Sequence, residues 1–183
     1  MTLWQKVKKG WKSLCGTIVA LPVFLAAIWA IQQPTPTPPL PLKQVAALTW
    51  VSTNAYLNSV TVSGVTYSIF IRSGATTDLA SIPIKLQELL GLSNSSPSIS
   101  RGAWEHDGLY STMDQDGSGV VSKAVADQIL YAEILKDGMD QAKAAAVLRA
   151  VDLWGWTVLL RHTTDSVSQA RRIVEARSVN QKD

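Results

Sequence analysis

Hydrophobic and polar positions change rhythm several times along this chain, and each change marks an element. Ser13 to Ile31 (SLCGTIVALPVFLAAIWAI) is a run of 19 residues without a charge. At helical rise it spans roughly 28 Å, about the hydrocarbon core of a bilayer. From about 43 to 75 the pattern favours strands. Ser59-Val60-Thr61-Val62 alternates, Val65 to Ile71 is rich in β-branched and aromatic residues, and Ser63-Gly64 between them is a turn signal. This predicts an antiparallel hairpin or three-stranded sheet. From about 83 onward apolar residues recur at helical spacing. A short helix is expected over Ile84 to Leu90, ended by Gly91, then a Ser/Asn/Pro loop from Leu92 to Ser100. Ser100 suits the N-cap of a helix from about Arg101 to Met113. A second helix should run from near Ser122 to about Lys136, stopped by Gly138. Asp140 suits the cap of a third, from Gln141 to about His162. Ser166 to Asp183 reads as a charged helix fading into disorder. The expected fold class is α+β: an N-terminal transmembrane helix, a small antiparallel β-sheet, then a predominantly α-helical, three-helix bundle.

The flanks of the apolar run set an orientation. Lys6, Lys8, Lys9 and Lys12 precede it, and Trp4, Trp11 and Trp29 stand at its margins as interfacial aromatics do. Pro22 inside it is better tolerated in a membrane helix than in a soluble one. The positive flank predicts a cytoplasmic N-terminus and a C-terminal domain in the periplasm or outside the cell. A cleaved signal segment is the alternative; its apolar run is normally shorter, roughly 7–15 residues. The organisation expected is a basic N-terminus over 1–12, an anchor or signal over 13–31, a Pro-rich linker over 32–42, an exported globular domain over 43–165 and a charged tail over 166–183. Gln33 to Pro41 (QPTPTPPLP) is a polyproline-type spacer. The chain's one cysteine, Cys15, falls in the apolar run, so the exported part has no disulfide and relies on a core or a bound metal. In the tail, Arg171, Arg172 and Arg177 suit either anionic headgroups or a solvated helix end.

The residues suited to chemistry are Asp78, His106, Asp107 and Asp127. Neighbours on a helix point about 100° apart, so His106 and Asp107 serve different partners. If the next helix packs antiparallel, Asp127 meets His106, and Tyr110 lies on the same face as His106. A carboxylate behind an imidazole sets its tautomer and stabilises its charged form, and such a pair can activate water against an ester. Carbonyls near Asp78 with the Asp107 carboxylate supply the oxygen ligands of a calcium ion. A structural alternative stands beside this: Asp78 caps a turn, and His106, Asp107 and Asp127 form a buried hydrogen-bonded cluster between helices. Asp114-Gln115-Asp116-Gly117-Ser118-Gly119 resembles the first half of an EF-hand loop, but Val125 stands where the bidentate glutamate is needed. It fits a weak calcium site or a polar connector. His162 suits a capping or surface position. There is no P-loop, Rossmann glycine pattern or zinc-type cluster, and no nucleic-acid partner is expected.

Three blocks carry a resemblance: Thr77 to Pro83 (TDLASIP), His106 to Tyr110 (HDGLY) and Ala126-Asp127, followed by Ala144 to Trp156. In that order they resemble a family of phage, prophage and bacterial domains, domain of unknown function 1353, over about Val65 to Trp156. More distantly they are similar to the bacterial and fungal secreted phospholipase A2 group. That likeness implies His106 as general base and Asp127 as its orienting partner. It also implies calcium held by the Asp107 side chain and the carbonyls of Asp78 and Leu79. Ala80 stands where those enzymes have a cysteine. The function expected is a membrane-anchored, calcium-dependent His/Asp esterase acting on membrane phospholipids, aiding host membrane disruption in a phage setting. The alternative is a non-enzymatic virion, lysis-accessory or host-surface protein that uses the same fold as a scaffold.

Overall fold

The structure is a computed structural model that describes residues 40–46, 49–78, 84–92 and 97–179. The chain divides into two units, Met1–Thr37 and Pro38–Asp183. The first lies wholly outside the described residues, and with it the anchor expected over 13–31. Among the described residues no helix is long and apolar enough to cross a membrane.

The described elements are mixed α and β. In chain order the strands are β1 (Leu42–Ala46), β2 (Thr49–Ser52), β3 (Tyr56–Val62), β4 (Val65–Ile71), β5 (Thr76–Thr77) and β6 (Val174–Ser178). The helices are α1 (Ile84–Leu90), α2 (Pro97–Ser111), α3 (Lys123–Lys136), α4 (Gln141–Leu159) and α5 (Thr164–Ala170). Two antiparallel three-stranded sheets form, one ordered β1-β2-β5 and the other β3-β4-β6. In the second, β3 and β4 are a hairpin paired from Tyr56↔Ile71 to Val62↔Val65. Its two-residue turn has positive φ at both Ser63 (51°) and Gly64 (80°). That is the turn whose twist matches its strands, and a glycine there avoids strain.

The larger departure from the sequence expectation is at the C-terminal end. Instead of one charged helix fading out, the chain forms α5 and then β6, which pairs with β4 from Tyr67↔Ser178 to Ile71↔Val174. β4 is therefore the central strand, with Ile69 and Ile71 fully buried and Val174 of β6 beside them. The expected single sheet ahead of a helix bundle becomes, among the described residues, two sheets, one completed by β6. α2 also begins earlier than Ser100 suggests, at Pro97, the first-turn position where a missing N–H costs nothing.

α2 organises the core. Arg101 through His106, Leu109 and Tyr110 are all buried. One side of α2 meets the second sheet, where a Cβ on Gly108 would lie 3.4 Å from Val174 and 3.5 Å from Ile71. Another side meets α3 so closely that a Cβ on Gly102 would stand 3.0 Å from both Ile134 and Leu130. Glycine at 102 is what lets these two helices touch. α3 is capped by Ser122, which accepts from Val125 N, and α4 by Asp140, which accepts from Ala142 N and Lys143 N. A helix buried on several sides carries its polar residues inside, and each then needs a partner. That requirement builds the site.

Candidate functional site

α2 and α3 bring His106 and Asp127 together. His106 Nε2 lies 2.8 Å from Asp127 Oδ1, and both residues are only 2% exposed. Tyr110, one turn after His106, donates its hydroxyl to the same Oδ1 (2.6 Å), and the two rings pack with centroids 4.0 Å apart. Asp127 Oδ2 is held by Lys123 Nζ at 2.7 Å, an i,i+4 pair within α3. Lys123 also donates to the carbonyls of Val151 (3.2 Å) and Asp152 (3.3 Å) on α4. Its Nζ sits 5.4 Å from the Trp156 ring centre and 5.9 Å from that of Tyr110.

Burial and charge assign the protonation states. Burial favours a neutral imidazole and pushes the His106 pKa below 6.5, even though the Asp127 carboxylate pulls it back up. Burial alone would raise Asp127, but hydrogen bonds from His106, Lys123 and Tyr110 outweigh it and hold the carboxyl below the usual range. Burial and the Asp127 carboxylate push the Tyr110 phenol well above its ordinary value, so it stays a donor. An ionised Asp127 can only accept, so Nε2 of His106 carries the proton and the lone pair lies on Nδ1. The network is one carboxylate with three donors, one of them the cation Lys123, and is nearly charge-balanced.

α4 closes the site from behind, and Gly155 is the contact. A Cβ there would collide with the Tyr110 hydroxyl and stand 3.0 Å from Lys123 Cε. Gly155→Ala is expected to destabilise the domain by about 1–3 kcal/mol through overpacking of a buried polar site, read as a lower urea midpoint. Tyr110→Phe in the same background should recover part of the loss, because the clash is with the hydroxyl.

The residues expected to hold calcium come together less completely. Asp107, one place after His106, turns away from Asp127 and accepts from Thr77 Oγ1 through Oδ2 (2.5 Å). Asp78 is exposed beside Thr77, and Leu79 lies outside the described residues. Calcium takes six to eight oxygens. Among the described residues no group of three or more His, Cys, Asp or Glu is placed to hold a metal ion. The expected set relies instead on backbone carbonyls, and one of its three members, Leu79, lies outside the described residues. The EF-hand-like stretch is tied up in structure: Asp114 pairs with Arg171 (2.8 Å), and Asp116 Oδ1 accepts from the Ser118 backbone (2.9 Å) and hydroxyl (2.6 Å). His162 bonds through Nδ1 to the Met113 carbonyl (2.9 Å).

Two features escape the sequence reading. One is Lys123; its i,i+4 spacing to Asp127 was a usable signal, but such pairs are ordinarily solvated. The other is a second buried cluster on the same helix pair. Glu105 Oε1 accepts from Tyr56 OH and Asn58 Nδ2, both at 2.8 Å, while Oε2 is buried without a hydrogen-bond partner. Glu133 is fully buried nearby and reaches Lys136 at 3.1 Å, and Arg101 faces Asp137 at 3.4 Å. No local pattern distinguishes Glu105 from a surface glutamate.

The fold and the site define a small mixed α/β domain built around a buried His–Asp–Lys–Tyr network. The chain belongs to a family described as Protein of unknown function (DUF1353), whose model matches residues 56–151, more than half of its length. That span runs from β3 into α4 and contains all four network residues. No curated protein and no solved structure matches the chain significantly.

Proposed function

We propose that this domain is a membrane-associated ester hydrolase of phospholipase A2 type, with His106 as general base and Asp127 as its orienting partner. The observation that supports it is the 2.8 Å pairing of His106 Nε2 with a carboxylate, which leaves the Nδ1 lone pair as the base. Nδ1 removes a proton from water as the oxygen bonds to the ester carbonyl carbon. Asp127 stabilises the imidazolium that results. Collapse of the tetrahedral adduct breaks the bond to the leaving alkoxide, which takes the proton back from Nδ1. Tyr110 and Lys123 are positioning residues that keep Asp127 ionised and fixed.

The test is fatty-acid release by the full chain from vesicles of phosphatidylglycerol and phosphatidylcholine. His106→Ala is expected to lower turnover by about 10²–10⁴-fold, the usual contribution of a general base, with helical content retained. Undiminished release by that variant rules His106 out as the base. In the wild type, kcat/KM should rise with pH along an acid limb whose midpoint lies below 6.5, because only neutral His106 is a base and burial keeps it neutral. Calcium dependence belongs to the same proposal: a higher melting midpoint with calcium than with chelator argues for an oxygen site around Asp78, Leu79 and Asp107.

A second reading is favoured by one observation, the 2% exposure of His106 within a self-satisfied network. There the network is a strut joining α2, α3 and α4 in a non-enzymatic phage structural, lysis-accessory or host-surface protein. It predicts no turnover on any ester, and a cost of about 1–3 kcal/mol for His106→Ala from the hydrogen bond lost to Asp127 Oδ1, which keeps only the Tyr110 donor.

A further inference from the structure

The last two turns of α4 carry an apolar face that nothing described covers. Leu153, Trp154, Trp156, Val158 and Leu160 are 67, 50, 45, 47 and 66% exposed. At 100° per residue these positions and Thr157 sweep about 200° of the helix surface. The Thr157 hydroxyl is turned back onto the Trp154 carbonyl (2.7 Å), so it offers the face little polarity. The opposite side of the same turns, Val151, Gly155 and Leu159, is buried. Solvent-facing helix surfaces are ordinarily polar, and a contiguous exposed apolar patch marks an interaction surface.

The chemistry of the patch selects its occupant. Two half-exposed tryptophans are the side chains that favour the boundary between headgroups and acyl chains. Exposed Arg149 precedes the face by one helical turn and exposed Arg161 follows it directly, against one exposed carboxylate at its start, Asp152, so cations outnumber anions at its border, as suits an anionic lipid surface. The chain also carries the charge-free run Ser13–Ile31 behind four lysines, a separate feature that suits a bilayer and not a second copy.

We propose that this end of α4 is a membrane-docking face, on which Leu153, Trp154, Trp156, Val158 and Leu160 enter the headgroup–acyl boundary of an anionic bilayer. The proposal rests on the reading of the domain as acting on phospholipid, and deepens it by naming where the bilayer meets the domain. Trp156 links the face to the site, since its ring lies over Lys123, the cation that holds Asp127.

The experiment uses the full chain with Cys15→Ser and one labelled cysteine, either Leu160→Cys on the face or Leu57→Cys, which is 65% exposed on β3. Each carries an environment-sensitive fluorophore and is mixed with phosphatidylglycerol–phosphatidylcholine vesicles whose acyl chains carry bromine quenchers. The label at 160 is expected to shift to the blue and lose most of its emission. The label at 57 should do neither, and the effect at 160 should weaken in pure phosphatidylcholine. No change at 160 overturns the proposal. So does equal quenching at both positions, or a label at 160 that is already shielded without lipid and is freed by dilution, which assigns the face to a second copy. Hydrolysis is followed separately on a dispersed soluble ester. Its absence with quenching intact sinks the catalytic reading alone, and its presence without quenching at 160 sinks the docking face alone.

Discussion

Asp127→Ala is expected to destabilise the domain by about 3–5 kcal/mol, the cost of stranding a buried charge by removing its partner. Among the described residues Asp127 is the only carboxylate within 3 Å of Lys123, while Asp152 lies 3.8 Å away and is largely exposed. The other Asp127 oxygen, Oδ1, takes the His106 and Tyr110 donors, so one substitution leaves three buried groups short. Asp127→Asn keeps the shape and removes the charge, and should cost less. Lys123→Met placed on top of Asp127→Asn should then recover stability, because the cation left without a counter-charge is gone. Urea unfolding of the single variants and the double variant measures the coupling. A loss under 1 kcal/mol in Asp127→Ala would mean that water reaches Lys123 and that the network is not desolvated. The pH dependence has a definite sign. Asp127 and His106 both have folded pKa values below their ordinary ones, 3.8 and 6.5. His106 therefore contributes stability that is complete above 6.5 and is lost as pH falls below it, and Asp127 adds a further loss below 3.8.

Glu105→Gln is expected to abolish a stability loss on the alkaline side. Burial pushes the Glu105 carboxyl up from 4.5 to about 8, with repulsion from Glu133 second, and the hydrogen bonds from Tyr56 and Asn58 only partly offset this. Ionising it in place costs on the order of 5 kcal/mol relative to water, the equivalent of that displacement. A raised carboxyl contributes stability that is complete below the unfolded value of 4.5 and declines as pH rises to about 8. Between 4.5 and 6.5 the His106 slope opposes it, so the clean window lies above 6.5. From pH 6.5 to about 8.5 the wild type should lose about 2 kcal/mol through this group. Glutamine keeps an oxygen for Tyr56 and Asn58 and has nothing to ionise, so its urea midpoint should stay flat across that window. Equal alkaline losses in both proteins would place Glu105 in contact with water.

The local chemistry of the chain was legible where a residue acts on its own neighbours. Ser63-Gly64 between two β-rich runs specifies the hairpin, because a two-residue turn needs positive φ and its flanks need β-branched side chains. Ile84–Leu90, the helix start beside Ser122 and the cap at Asp140 fall where their sequence signals stand, while the cap expected at Ser100 gives way to a start at Pro97. His106 and Asp127 could be named as partners only on the assumption that their helices pack antiparallel. The calcium set was less legible, because ligands from a loop depend on how that loop is held, and Leu79 lies outside the described residues.

Val174–Ser178 shows the other side. VEARS holds two charges in five residues and has no stronger strand signal than much of the tail. It is a strand because β4 presents an edge, and Val174 is buried because Ile71 lies beside it. An edge is supplied by the fold, since a strand has no hydrogen-bond partners within itself. The same holds for charge: Lys123, Glu105 and Glu133 look like surface residues in the sequence, and only the approach of α2, α3 and α4 encloses them. The sequence by itself determined the Ser63-Gly64 turn, the Asp140 cap and the approximate helix spans, because these depend on backbone conformation and spacing within a few residues, whereas the meeting of His106 with Asp127, 21 positions apart, needed the helices to pack. The tertiary structure alone decided which charges are buried, which strand completes the second sheet and which apolar face is left open, because burial is a property of what packs against a residue from elsewhere in the chain.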